Sequence, residues 1–169
     1  MTILVLIIYF LYFQGCPEPK VDVINLVLKI AKQYPSVLNI QMAVTACLYN
    51  LCHGELATKL HPKILKAVVN TDLDAMETFP QHQMLQKNIL LTICCDRIIN
   101  DVNFDRFRCA KLALRCLGEW QDNSMNKMSV AICSMLGKSY FCTPIFLKSY
   151  RLITSAVDLK MNFFCRIVR

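Results

Sequence analysis

Leu28-Lys29-Ile30-Ala31-Lys32-Gln33-Tyr34-Pro35-Ser36-Val37-Leu38-Asn39-Ile40-Gln41-Met42-Ala43-Val44 contains the end of one helix, a stop, and the start of another. Upstream of the stop, residues 21–34 place Val23, Val27, Ile30 and Tyr34 on one face. Downstream, residues 37–52 place Ile40, Ala43, Val44, Cys47, Leu48 and Leu51 on one face, and Gly54 closes the run. Apolar recurrence at three- and four-residue steps is the pattern of a half-buried helix. Pro35 has no amide hydrogen to give, and its ring drives the preceding residue out of the helical region. The stretch therefore predicts two helices folded back on each other.

The same unit recurs along the chain. Residues 62–78 open with Pro62, repeat Leu65, Val69, Leu73 and Met76, and stop at Pro80. Residues 81–96 are apolar nearly all round from Met84 to Cys95, which predicts a fully buried helix. Residues 103–117 offer Asn103 as a cap, then Phe107, Ala110, Leu114 and Leu117, with Gly118 as the stop. Residues 123–136 follow Asp122, carry Met125, Met128, Ile132 and Met135, and end at Gly137.

First members begin near 21, 62 and 103, which is 41 residues apart each time. Second members align as Leu38-Asn39-Ile40-Gln41, Leu85-Gln86-Lys87-Asn88 and Met125-Asn126-Lys127-Met128, at offsets of 47 and 40. Two or three helices repeating at that period are the mark of armadillo and HEAT arrays, in which each unit buries its apolar face only against its neighbours. The expected fold is all-α: an armadillo/HEAT-like solenoid fragment of about three helix pairs over residues 21–138. Residues 1–20 form an apolar leader, and residues 139–169 form a basic, aromatic tail.

Composition agrees. The 169 residues are 55% apolar and 18% charged, with four glycines and six prolines, and mean hydropathy is +0.38. Disordered, collagen-like and linker-like chains are excluded. Such a chain has more apolar surface than it hides alone. Net charge is +7, but residues 1–137 hold 13 cations against 11 acids, while residues 138–169 hold six cations against Asp158. The body thus lacks the basic groove of a nucleic-acid binder. Residues 2–13 are an uncharged run of twelve. That is shorter than a bilayer-spanning helix, and no cation precedes it as in a signal peptide. A helical protein held at a membrane by residues 2–13 or by the basic tail is the alternative reading.

The chemistry-bearing residues do not assemble into a catalytic motif. His53, His61 and His82 are the only histidines, and none has a cysteine at zinc-ligand spacing. Cys52, Cys94 or Cys95 could meet a histidine in space, but nothing in the sequence selects one. Phosphate-loop, dinucleotide and nucleophile-elbow motifs are absent. Cys47, Cys52, Cys94, Cys95, Cys109, Cys116 and Cys133 sit in helical stretches and read as free thiols packed as small hydrophobes. The acid pairs Asp72/Asp74 and Asp101/Asp105 read as solvated or capping groups on exposed helix ends, and Trp120 reads as a lid on the core. Asn50, near the end of its helix, is the candidate peptide contact, because its amide can pair with the backbone of an extended chain. The expectation is no enzyme, no metal and no cofactor.

Residues 28–51, 75–91 and 95–107 carry a specific resemblance. Tyr34-Pro35-Ser36-Val37-Leu38-Asn39-Ile40-Gln41, Phe79-Pro80-Gln81-His82-Gln83-Met84-Leu85-Gln86 and Asp96-Arg97-Ile98-Ile99-Asn100-Asp101 are among the residues that resemble the Zyg-eleven/Zer family over roughly residues 22–137. The resemblance implies a non-catalytic substrate receptor of a cullin-two RING ubiquitin ligase. Its implied partners are the cullin-two/elongin complex and substrates with N-terminal glycine degrons, and its implied setting is the cytoplasm or the nucleus. Leu48-Tyr49-Asn50-Leu51 is a repeat-level echo of the family's Leu-Trp-Asn-Leu-Thr-Asp pocket motif, while the Asn-Asn-Ile-Ala-Glu motif, leucine-rich repeats and a cullin box do not occur. The expectation is a truncated, armadillo-only form without the degron pocket.

Overall fold

The computed structural model describes residues 18 and 20–138. The leader run 2–13 and the tail 139–169 lie outside the described residues. Among the described residues the chain is all helix and turn: α1 (Val21–Gln33), α2 (Leu38–Cys52), α3 (Glu55–Lys59), α4 (Pro62–Thr78), α5 (Gln83–Ile93), α6 (Asp96–Asp101), α7 (Arg106–Glu119) and α8 (Asn123–Lys138). The long helices form three pairs, α1–α2, α4–α5 and α7–α8. First members stack as α1–α4–α7 and second members as α2–α5–α8. One core of residues such as Ile24, Leu48, Leu73, Ile89, Ile98 and Ile132 runs through all of them.

The all-α expectation stands, with an addition. The short helices α3 and α6 precede the second and third pairs, so these two units have three helices each. The helix expected over 81–96 ends early, and α6 (Asp96–Asp101) is a further helix beyond it, in a stretch to which the sequence assigns none. The break falls at Cys94 and Cys95, which cap α5 and start α6. α5 is not buried all round either, since Met84 is 59% exposed. A two-layer array leaves one side of each second helix to solvent, whatever its composition.

Local chemistry sets the ends. Gly54 links α2 to α3 at φ +57° and ψ −133°, a backbone conformation that a Cβ disfavours. His61 Nδ1 accepts from the Lys63 amide at 3.1 Å, and Pro62 occupies the first turn of α4, where no amide hydrogen is needed. α7 is capped by Asp105, whose carboxylate accepts from the Arg108 amide at 2.9 Å. Asn103, the expected cap, lies before this turn. Gly118 lies inside α7 and does not stop it. Tyr34, Phe79 and Trp120 end α1, α4 and α7, each donating its amide hydrogen to the carbonyl four residues back, Ile30, Ala75 and Cys116.

Those three aromatic ends fix the register at steps of 45 and 41 residues. Ile40 and Leu85 are then equivalent, and Met125, at a step of 40 because the third turn is one residue shorter, takes the same level; all three are buried. The sequence alignment had matched Leu38 to Leu85, two residues out, because its similar apolar-polar steps hide the register. The face expected for α1 is also shifted. Its core side is Ile24, Val27, Leu28 and Ala31, whereas Tyr34 is 41% exposed. On α7, Phe107 is 59% exposed. Leu65, Val69, Leu73 and Met76 of α4 are buried as expected. Among the described residues no helix is long and apolar enough to cross a membrane.

Candidate functional site

The solvent side of the α2–α5–α8 layer is an extended face built, among the described residues, from equivalent positions of all three pairs. Stacked levels on it are Asn39/Met84/Ser124, Ala46/Leu91/Ala131 and Asn50/Cys95/Met135, all exposed or half-buried. Only Lys87 and Lys127 bring charge to its middle. Lys87 Nζ lies 3.1 Å from Asp122 Oδ2 and ties α5 to the start of α8. The Ser124 hydroxyl and the Met125 amide, together with Lys87, hold the Asp122 carboxyl well below the usual carboxylate range.

What keeps this face in place is a pair of buried glutamines that sequence reasoning missed. Gln41 Nε2 donates to Ala31 O and Tyr34 O, both at 2.9 Å. Gln86 Nε2 donates to Met76 O at 3.0 Å and Phe79 O at 2.9 Å. The last carbonyls of a helix have no partner within it. One amide on the second helix of each pair satisfies two such groups and locks the turn. Cys116 Sγ donates to Gln86 Oε1 at 3.3 Å, and Arg115 Nη2 donates to Met76 O at 2.7 Å, so the third pair is tied to the second through the same point. An aromatic-Pro-x5-Gln spacing at 34–41 and 79–86 was the signal that could have revealed it.

Asn50, the candidate peptide contact, stands half-buried near the end of α2. Its Nδ2 donates to Ala46 O at 3.0 Å within the same helix. His53 Nδ1 meets Asn50 O at 3.1 Å, and the His53 ring stacks on Tyr49 with centroids 5.1 Å apart. Its counterparts in the other pairs are Cys95 and Met135, so the amide is not repeated along the face.

The remaining candidates are dispersed. His61 and His82 sit at the N-terminal ends of α4 and α5. No group of three or more His, Cys, Asp or Glu among the described residues is placed to hold a metal ion. The seven described cysteines are free. Burial raises the Cys52, Cys109 and Cys133 thiols to about 12 and Cys116 to about 11, with Asp72 and Cys95 adding to the effect at Cys52. Activated nucleophiles shift the other way. Of the acids, Asp74 and Glu77 receive Arg108 at 2.7 and 2.6 Å, Asp101 pairs with Arg97, and Asp105 is a cap. Asp72 overturns its reading as a solvated or capping group. It lies inside α4, fully buried, with neither oxygen hydrogen-bonded, and burial raises its carboxyl well above the usual range. Trp120 is partly buried against the core, as a lid would be.

Stacked helix pairs with no catalytic constellation among the described residues define the class, an all-α armadillo-like array. A family model described as "Protein zer-1 homolog-like, C-terminal domain" matches residues 29–143, and the chain belongs to that family. It is similar to the protein zer-1 homolog of Homo sapiens, with 29% identity over 114 residues, 67% of this chain and 15% of the relative. The zer-1 homologs of Pongo abelii and Mus musculus are also 29% identical over 114 residues. The match thus spans about 15% of the length of these curated relatives. No solved structure gives a significant match.

Proposed function

We propose that the helical body is a non-catalytic protein-interaction module, the armadillo-like part of a substrate receptor of a cullin-two RING ubiquitin ligase, acting in target recruitment in the cytoplasm or nucleus. The family match over residues 29–143 carries this reading. The weakly charged α2–α5–α8 face supports it, because amides such as Asn39, Asn50 and Asn88 suit the backbone of an extended partner. Asn50 is the proposed peptide contact. The raised thiols support a non-catalytic role.

An armadillo array reads a peptide with several consecutive repeats; the described residues hold three pairs, and the sequence lacks the family's pocket motifs. We therefore read it as a form that alone binds neither N-terminal glycine peptides nor the cullin-two/elongin complex. The experiment is a pull-down with a glycine-starting peptide, its acetylated control, and the purified elongin–cullin-two complex. Neither is captured on this reading. Micromolar capture of the glycine peptide that acetylation abolishes would place the pocket in these repeats. Direct capture of the cullin complex would put the ligase contact on the armadillo body. A thiol-directed activity probe that labels one cysteine stoichiometrically in the native chain, and not after denaturation, would overturn the non-catalytic reading.

A further inference from the structure

The two layers of the array differ in charge. The first helices α1, α4 and α7 carry five acids, Asp22, Asp72, Asp74, Glu77 and Glu119. The second helices α2, α5 and α8 carry no Asp or Glu at all. Lys87 and Lys127 stand on the solvent side of that second layer, at one level, two residues beyond Leu85 and Met125. Lys127 is exposed and pairs with no acid among the described residues. Lys87 meets Asp122, whose carboxylate is also taken up by the Ser124 and Met125 amides. Asp122 offsets one of the two cations, so the face keeps a positive balance.

The surroundings of the two lysines are apolar and adaptable. Met42, Leu91 and Met128 stand half-buried at neighbouring positions, and Asn88 adds an amide. Unbranched methionine side chains re-pack around partners of varied shape. A partner amine would add a third positive charge here, with no acid in these helices to receive it. A partner carboxylate would gain charge-assisted hydrogen bonds from either ammonium group. We propose that the α2–α5–α8 face takes an extended acidic and apolar segment of a partner protein, with carboxylates three residues apart on Lys87 and Lys127. The inference rests on the interaction-module reading above and names the chemistry of its partner.

The spacing follows from the repeat. Neighbouring packed helices lie about 8–10 Å apart. A chain in the polyproline II conformation has three residues per turn and rises about 3.1 Å per residue, so side chains three apart share a side and lie about 9 Å apart. One such turn spans the step from α5 to α8. A pleated strand returns a side chain to the same face every second residue, about 7 Å on, which falls short of that step. The polyproline II backbone makes no hydrogen bonds of its own. Amides on the face, Asn88 on α5 and Asn50 on α2, are of the type that can supply them.

The test selects random peptide segments on the full chain, displayed between constant flanks so that no free terminal amine is offered. Enriched segments are expected to carry Asp or Glu at three-residue intervals among Leu, Ile, Val and Met. Fluorescence polarisation of one selected segment then gives Kd for the chain and for Lys127→Glu, with circular dichroism confirming that the helices remain. Lys127→Glu is expected to weaken binding about tenfold or more. Lys66→Glu, an exposed charge on α4 in the other layer, is expected to leave Kd within about twofold. Enrichment of neutral or basic segments, an unchanged Kd in Lys127→Glu, or an equal loss in both variants overturns the acidic partner while the interaction face stands. No enriched segment of any kind overturns both readings.

Discussion

The turn between α4 and α5 and the turn between α7 and α8 do the same mechanical work with different chemistry. At the first, Phe79-Pro80 ends one helix, and the buried Gln86 amide returns to the Met76 and Phe79 carbonyls. At the second there is no proline, and the polar residue nearest the corresponding level is Asn126, one methylene shorter and, counted from the aromatic helix end, one residue earlier. Its Oδ1 is buried without a hydrogen-bond partner. The closing bonds come instead from Asp122, whose carboxylate accepts from the Ser124 amide at 2.8 Å and the Met125 amide at 3.0 Å. One turn is fastened through the carbonyl end of a helix by a neutral, dry group. The other is fastened through the amide end of the next helix by an exposed charge. The first fastening should ignore pH, and the second should not.

The widest expected gap is in the glutamines. Gln86→Leu leaves Phe79 O without its partner and Met76 O with Arg115 alone, and should cost about 2–4 kcal/mol in urea unfolding. Gln41→Leu should cost about as much, because the same two bonds are lost in the first pair. Asn126→Leu removes an oxygen that is already unpaired, and should cost less than about 0.5 kcal/mol or stabilise the chain. Equal losses at 86 and 126 would break the comparison.

Next comes Asp72, which sharpens the contrast with Asp122. The folded state keeps Asp72 protonated by burial, while the unfolded chain ionises near pH 4. Above that pH the native state binds the extra proton, so stability falls as pH rises. Asp72→Asn should remove this slope and gain about 1–3 kcal/mol at pH 7.5, with little gain at pH 4, read from urea midpoints. Asp122 has the opposite sign. Its carboxyl is held below the usual range, so its contribution is present above the ordinary carboxylate pKa and fades as pH falls below it. Asp122→Ala should lower Tm at pH 7 and change it less at pH 2, while Asp122→Asn, also a good cap, keeps most of the stability.

The smallest effect is expected at Arg108, which reaches from α7 to Asp74 and Glu77 on α4. The pair is solvent-facing, and the Arg108 hydrogen bond is what lowers the Glu77 carboxyl most. Arg108→Ala should cost about 0.5 kcal/mol and less in high salt. A loss as large as that at Gln86 would mean that surface charge, not the buried amides, holds the pairs together.

Much of the array was legible because its signals are local. Pro35, Pro62 and Pro80 act on their own backbone, so helix ends near them were placed well. Asp105 was harder to see as a cap, since Asn103 two residues earlier is equally suited by type. The acid pair Asp72/Asp74 looked uniform in sequence, yet one member is sealed in the core and the other holds Arg108, because residues two apart on a helix point to nearly opposite sides. For the candidate site, Asn50 was correctly placed near a helix end, but its bond to Ala46 O belongs to the folded geometry. Gln41 and Gln86 were missed because a polar residue at an apolar level looks like an interruption until its two acceptors are seen.

By itself the sequence determined the all-α class, the repeat period and the positions of the long helices, since periodicity and proline act within a single helix or turn. Tertiary structure alone decided the register between pairs, which face of α1 enters the core, and the end of α5 at Ile93 with α6 added after it. Each of those depends on which neighbour covers a helix. An apolar side chain reads the same in sequence whether another pair buries it, as at Leu112, or leaves it half open, as at Leu26.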